Sequence, residues 1–334
     1  MLGVTILTSH RRQSYYNNLH LNYGGDLGLG VNPKLIERIN KSDYLVLLGG
    51  RLSENPSQGF SLLGIPEHNK KFVHIHPGPE EIGRIYKPHL GIVCSPISFV
   101  NALNNALKGL NTKPSSQNQI SANQAHEEYL EWGNMPLEAP NSGVDLTTAF
   151  RNLRENLDSN TIITNGAGNY AVWGHRLFRF TNFGTQLAPI SGSMGYGLPA
   201  AIAAKLRNPN KTVIALAGDG CFQMTENEFA TAVQYNAGVI VFVVDNEMYG
   251  TIRMHQHKNY KGKYKHTGLI NPDFNKLAVA MGGQGYTVEK TEDFMSIYDE
   301  AREWTNTNNL PSLLHIKTGS EMVLPGKRFS SLWW

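Results

Sequence analysis

Cysteine is almost missing from this chain. Cys94 and Cys221 are the only two in 334 residues, and they lie far apart without C-x-x-C spacing, which argues against a disulfide framework and against a zinc site. Long apolar runs are missing too. The longest, such as Val239–Val244, fall far short of the ~20 residues that cross a bilayer, and no membrane segment is expected. Met1 to Leu7 has neither a basic lead nor a small-residue cleavage site, and Arg11–Arg12 follow it rather than precede it, so no export signal is read. Charge is sparse at 17 % and nearly balanced, with Lys+Arg 30 against Asp+Glu 27 and a net +3; nucleic acid is therefore not the default partner. A reduced, cytoplasmic chain is the expectation. The apolar fraction of 40 %, together with 33 Gly, is close to the globular norm, which excludes a disordered chain.

The length favours two domains. Short apolar runs bounded by Gly or Asp recur at Tyr44–Leu48, Phe72–Ile75, Thr161–Ile163, Thr212–Ala217, Val239–Val244 and Ser312–Ile316, with helix-like stretches between them. Runs without alternation describe strands buried on both faces of a parallel sheet, so the fold class is α/β with two doubly wound parallel-sheet domains. Between 111 and 142 the pattern lapses into Asn, Ser, Gln and Lys with Pro114, Pro136 and Pro140; this reads as a polar linker, with room for a short helix over Gln124–Trp132. The domains are then 1–110 and 143–334. In the first, Asn32-Pro33 opens a helix that presents Leu35, Ile36 and Ile39 on one face and closes at Ser42-Asp43.

The most informative stretch is Thr212 to Gly250. Thr212–Ala217 reads as a strand, Gly218-Asp219-Gly220 as a tight turn, Thr225-Glu226-Asn227-Glu228 as a capping box for a helix Glu228–Tyr235, and Val239–Val244 as a second strand ending at Asp245-Asn246. One β-α-β crossover places both strand ends on one crevice, which makes Asp219 and Asn246 neighbours. A carboxylate and a carboxamide offer hard oxygens of the kind Mg²⁺ takes beside phosphate and water, and Gly218 and Gly220 leave the backbone bare for a phosphate. An isolated Asp-Gly is more often a hairpin turn; here a capped helix follows it instead of a strand.

Gly218-Asp219-Gly220, a helix, an apolar strand and then Asn246 with Tyr249-Gly250 resemble the diphosphate-binding motif of the thiamine-diphosphate-dependent enzymes. Cys221-Phe222-Gln223-Met224 and Glu228-Phe229-Ala230-Thr231-Ala232-Val233 resemble the acetolactate synthase branch. The resemblance implies thiamine diphosphate and Mg²⁺ as cofactors, with Asp219, Asn246 and the Met248 carbonyl as metal ligands and Gly218, Gly220 and Cys221 in the diphosphate turn. Gly192-Ser193-Met194-Gly195-Tyr196-Gly197 opens a helix Leu198–Leu206. There the resemblance makes Ser193 a cofactor contact and Met194 the apolar prop under the bent cofactor, whereas the residues alone favour a core methionine, the commoner role of a Met at a helix start. Asn169 and Tyr170 stand where acetolactate synthases carry a Gln-His pair, and are implied diphosphate contacts.

Tyr23–Gly28, Ser42–Arg51, His74-Ile75-His76-Pro77 and Glu81–Arg84 resemble the central domain of the same enzymes. That domain holds FAD in acetolactate synthases, though no stretch here specifically demands one. His74 and His76 alternate on a strand, a pattern of ordinary strand positions more than of a metal pair. The basic and aromatic run 258–266 is read as a loop covering the site or a solvated loop, in preference to a single-stranded nucleic acid platform.

In the resembling enzymes the glutamate that activates the cofactor sits on a third, N-terminal, pyrimidine-binding domain. The likeness begins inside the central domain near Val4–Leu7, and no glutamate here matches the activating one by context, Glu54 included. No catalytic residue is assigned. The expectation is a carboligase or decarboxylase of 2-oxo acids, acetolactate synthase-like, working in a homo- or hetero-oligomer that supplies the third domain. The alternatives are a non-catalytic homologue that binds cofactor or a sister subunit, and an unrelated phosphosugar or nucleotide binder.

Overall fold

The expected apolar runs form parallel strands. The computed structural model describes residues 2–110, 113–260 and 262–332, and the chain divides into two compact units, Met1–Gln13 with Asn18–Trp132, and Ser14–Asn17 with Gly133–Trp334.

In the first unit, β1 (Ile6–Ser9) pairs in parallel with β2 (Tyr23–Leu27), and β3 (Tyr44–Leu48), β4 (Lys71–His76) and β5 (Leu90–Val93) form a parallel sheet in that order. The helix Pro33–Lys41 starts where Asn32 accepts from the Lys34 N–H, and Leu35 and Ile39 are buried, packing with Leu27, Leu52, Leu62, Leu63, Phe72 and Tyr86. One face of β3 stays bare: Tyr44, Val46 and Leu48 are 60 %, 55 % and 42 % exposed.

The segment expected as a linker contains the helix Ser116–Asn134. Ala122, Ala125 and Tyr129 are buried. The Arg38 guanidinium grips the Glu128 carboxylate through Nε and Nη2 at 2.5 and 2.9 Å, and His126 Nδ1 meets the Tyr23 carbonyl at 2.9 Å. Small residues at helical spacing let the backbone pack closely without an apolar stripe, so composition alone misreads the segment.

The second unit is built on β6 (Ile162–Asn165), β7 (Gln186–Leu187), β8 (Val213–Gly218), β9 (Ile240–Asp245), β10 (Gln284–Val288) and β11 (Ser312–Lys317). They form one six-stranded sheet, ordered β10–β11–β9–β8–β6–β7, with every neighbouring pair parallel. Successive residues feed opposite faces. Ile214, Leu216, Ile240, Phe242, Val244, Leu314 and Ile316 join one core with Phe150, Trp173, Phe294 and Tyr298. Val213, Ala215, Ala217, Val239, Val241, Val243 and Leu313 join the other with Leu198, Phe222, Phe229 and Phe274. Helices on both faces explain why these strands are continuously apolar.

Two local expectations change. Asp219–Phe222 is a single helical turn rather than a tight turn. No capping box forms at 225–228: the helix Glu228–Gln234 starts with Asn227 at its N-cap and has no side-chain cap, and Thr225, two residues earlier, donates its hydroxyl to the Gly195 carbonyl at 2.8 Å.

Candidate active site

The carboxyl ends of β6, β8 and β9 open on a cavity of about 230 Å³. Three segments, 166–170, 192–197 and 218–221, contribute to its wall in that order, and Cys221 holds them together. Its Sγ receives the Tyr170 hydroxyl of the first turn at 3.2 Å and the Gly195 N–H of the second at 3.2 Å, while Cys221 itself belongs to the third. A Cβ on Gly166 would lie 2.3 Å from that sulfur, so the closeness of the first and third turns requires glycine there.

Of the residues expected at the site, Gly218, Asp219, Gly220, Cys221, Asn246, Met248, Met194, Asn169 and Tyr170 all line this cavity. Ser193 does not. It is exposed and pairs with the Ser191 hydroxyl at 2.9 Å. Asn169 is fixed by the Thr251 hydroxyl, which donates to its Oδ1 at 2.8 Å. Met194 is half-buried against the core containing Trp173.

The Gly-Asp-Gly turn differs in detail from its sequence reading. A Cβ on Gly218 would lie 2.7 Å from the Tyr170 ring, and one on Gly220 2.4 Å from the Tyr249 ring; the bare backbone admits two tyrosines beside the crevice. The Gly220 N–H donates to Oδ1 of Asp219 at 2.8 Å and so orients the carboxylate.

Asp219 and Asn246 come together as expected, since Gly218 and Val244 are register partners on β8 and β9. Asp219 is 3 % exposed. Burial pushes its carboxyl up to about 6, helped by the nearby Asp245 carboxylate and opposed by hydrogen bonds from Asn271 and the Gly220 N–H. Asp245 goes the other way. Burial alone would raise it, but hydrogen bonds from His315, Lys317 and the Glu247 N–H outweigh that and hold it well below the usual carboxylate range.

Sequence reasoning missed the surroundings of Asp219. Asp245 was visible only as the residue before Asn246, and Asn271 only as part of an Asn-Pro-Asp start to the helix Phe274–Ala280, where Asp273 caps Lys276 N. Pairings across 52 and 70 positions, Asn271 with Asp219 and His315 with Asp245, leave no local signature.

The donor set suits a hard divalent cation: one carboxylate, one carboxamide and the Met248 carbonyl, which accepts Gly250 N at 2.9 Å and keeps a second lone pair. Among the described residues no group of three His, Cys, Asp or Glu side chains is placed to hold a metal ion. His74 and His76 are engaged with backbone, at Gly50 O (3.0 Å) and Gly78 N (3.0 Å) respectively.

The basic and aromatic run divides. Residues 258–260 end the helix Gly250–Tyr260, Lys261 lies outside the described residues, and Tyr264 stacks on His257, a ring contact internal to the fold. Among the described residues no helix is long and apolar enough to cross a membrane.

Residues 166–316 match the family model for the C-terminal TPP-binding domain of thiamine pyrophosphate enzymes, and residues 1–103 match that for their central domain. Similar curated proteins include the mitochondrial acetolactate synthase catalytic subunit of Aspergillus candidus, 39 % identical over 54 % of this chain and 26 % of that protein. The acetolactate synthase large subunit of Porphyra purpurea is 28 % identical over 91 % and 51 % respectively, and that of Corynebacterium glutamicum 26 % over 96 % and 51 %. The chain spans about half the length of the relatives it matches along most of its own length.

Proposed function

The chain belongs to the thiamine pyrophosphate enzyme family, and on that footing we propose that it binds thiamine diphosphate with Mg²⁺ and serves an acetolactate synthase-like carboligation or decarboxylation of 2-oxo acids. The convergence of Asp219, Asn246 and Met248 on one cavity supports this reading most strongly. Asp219 Oδ, Asn246 Oδ1 and the Met248 carbonyl would hold the cation, and the cation the diphosphate. When bound, thiamine diphosphate would supply the carbanion chemistry that carboligation or decarboxylation of a 2-oxo acid needs. Met194 would support it from the apolar side. Val144, Leu146, Trp173, Ile252 and Val323 add apolar lining to the cavity, which would help keep water from a bound cofactor.

No glutamate lines the cavity among the described residues. In this reading the proton transfer that activates the cofactor would draw on a pyrimidine-binding domain outside these 334 residues, on this polypeptide or another, in a homo- or hetero-oligomer. General acid–base assistance contributes about 10²–10⁴-fold, so these residues alone are predicted not to turn over pyruvate with thiamine diphosphate and Mg²⁺. Adding the pyrimidine-binding domain should restore turnover. Steady pyruvate consumption by the 334 residues alone contradicts the reading. Two free cysteines, Cys94 and Cys221, fit a reducing compartment, cytoplasm or mitochondrial matrix.

A further inference from the structure

Behind the proposed metal ligands lies a polar cluster that neither the motif nor the reaction accounts for. Asn271 is its centre. Its Nδ2 donates to Oδ2 of Asp219 at 2.8 Å and to Oδ1 of Asp245 at 2.7 Å, and its Oδ1 accepts from Gln223 Nε2 at 3.0 Å. The amide can sit only one way round: flipped, its carbonyl would face two carboxylates. Asp245, in turn, is anchored from behind. Its Oδ2 takes His315 Nε2 and Lys317 Nζ, both at 2.7 Å, and its Oδ1 also takes the Glu247 N–H at 3.0 Å.

Asn271 is delivered by a segment that runs beside the other proposed ligands. Tyr249 N donates to Thr267 O at 3.0 Å, Leu269 N to Glu247 O at 2.9 Å, and Met248 bridges Gly268. The stretch 267–271 is thus laced along 247–249, and its last residue is inserted between the two carboxylates. With Oδ1 of Asp219 held by Gly220 N and Oδ2 by Asn271, the plane of the carboxylate is set from both oxygens. Each oxygen has about two acceptor positions, so one on each is left for a cation.

We propose that Asn271, pinned by Gln223 and backed by Asp245, His315 and Lys317, is a positioning residue that orients the Asp219 carboxylate for a divalent cation and ties it to the Asn246–Met248 segment. It touches neither cation nor substrate. The inference rests on reading the crevice as a Mg²⁺–diphosphate site, and groups of this kind typically change metal affinity by about 10–100-fold when removed.

The test is a titration of Mn²⁺ into the full 334-residue protein at saturating thiamine diphosphate, with bound metal read from loss of the free Mn²⁺ spin-resonance signal. Asn271→Ala should weaken binding by about 10–100-fold while the number of sites stays near that of the unaltered protein. Gln223→Ala, which frees the amide but leaves both of its donors, should weaken binding by a smaller factor. It decides the matter if Asn271→Ala does not fold. Unchanged affinity in whichever variant is read overturns the proposal. So does a loss of sites at unchanged affinity, which marks a merely structural role. If the unaltered protein binds no Mn²⁺ with thiamine diphosphate, the reading of the crevice falls, and this inference with it.

Discussion

His315 donates from Nε2 to Oδ2 of Asp245 over 2.7 Å, and their side chains are 3 % and 0 % exposed. The two come from adjacent strands β11 and β9, with the Phe274 ring edge-on to the imidazole at 4.9 Å. A buried carboxylate that loses one donor keeps its desolvation cost.

His315→Leu preserves much of the packing against Phe274 but removes a hydrogen bond to a charged group, which is worth about 1.5–3 kcal/mol. Urea unfolding should show a loss of that order with an unchanged slope. A loss below about 0.5 kcal/mol would mean that Lys317, Asn271 and the Glu247 N–H satisfy Asp245 without His315.

Gly166 tests the meeting of the turns. Adding a methyl 2.3 Å from Cys221 Sγ and 3.0 Å from the Tyr170 hydroxyl must shift a turn. Gly166→Ala should therefore cost about 1–3 kcal/mol, as overpacking does. In a Cys221→Ala background the same substitution should cost clearly less, and the two changes should be non-additive. Additive costs in denaturant unfolding would show that the sulfur does not set this approach.

Asp26 supplies a pH dependence in the first unit. Burial pushes its carboxyl up to about 7, against a hydrogen bond from Gln13 at 3.0 Å. The folded state thus prefers the neutral acid. Its contribution is fully present below the ordinary value of 3.8 and is lost as pH rises towards 7. Asp26→Asn keeps an acceptor for Gln13 and cannot ionise. It should be more stable than the unaltered protein at pH 8, with the difference closing towards pH 4. A difference in melting temperature that is flat across this range contradicts the assignment.

β3 lies at the edge of its sheet, its sequence YLVLL has neither proline nor charge, and Tyr44, Val46 and Leu48 are exposed. Such an edge invites pairing with another chain. Sedimentation velocity should show concentration-dependent association of the protein, reduced by Val46→Lys. Association that this substitution leaves unchanged would place the contact elsewhere.

The strands of the second unit were legible because each is buried on both faces. Thr212–Ala217 and Val239–Val244 needed only a one-residue shift, to Val213–Gly218 and Ile240–Asp245. β10, sequence QGYTV with a partly exposed face, carried no such run and was missed. Asp219 and Asn246 were legible because a single crossover fixes which strand ends meet. Asn271 and His315 were not, because nothing local reveals which buried carboxylate a distant amide or imidazole satisfies. Thr225 shows a different limit: the T-x-x-E pattern does not say where the helix begins, and Asn227 rather than Thr225 stands at the N-cap.

On the proposed function, the crevice between the ends of β8 and β9 takes a Mg²⁺–diphosphate unit. Titration calorimetry of thiamine diphosphate into the protein with and without Mg²⁺, repeated on Asp219→Ala, tests it most directly. The account predicts binding that requires Mg²⁺ and vanishes in Asp219→Ala while far-UV circular dichroism stays that of the unaltered protein, since a site with so few protein ligands cannot spare its one carboxylate. Mg²⁺-dependent affinity that survives Asp219→Ala unchanged would contradict it.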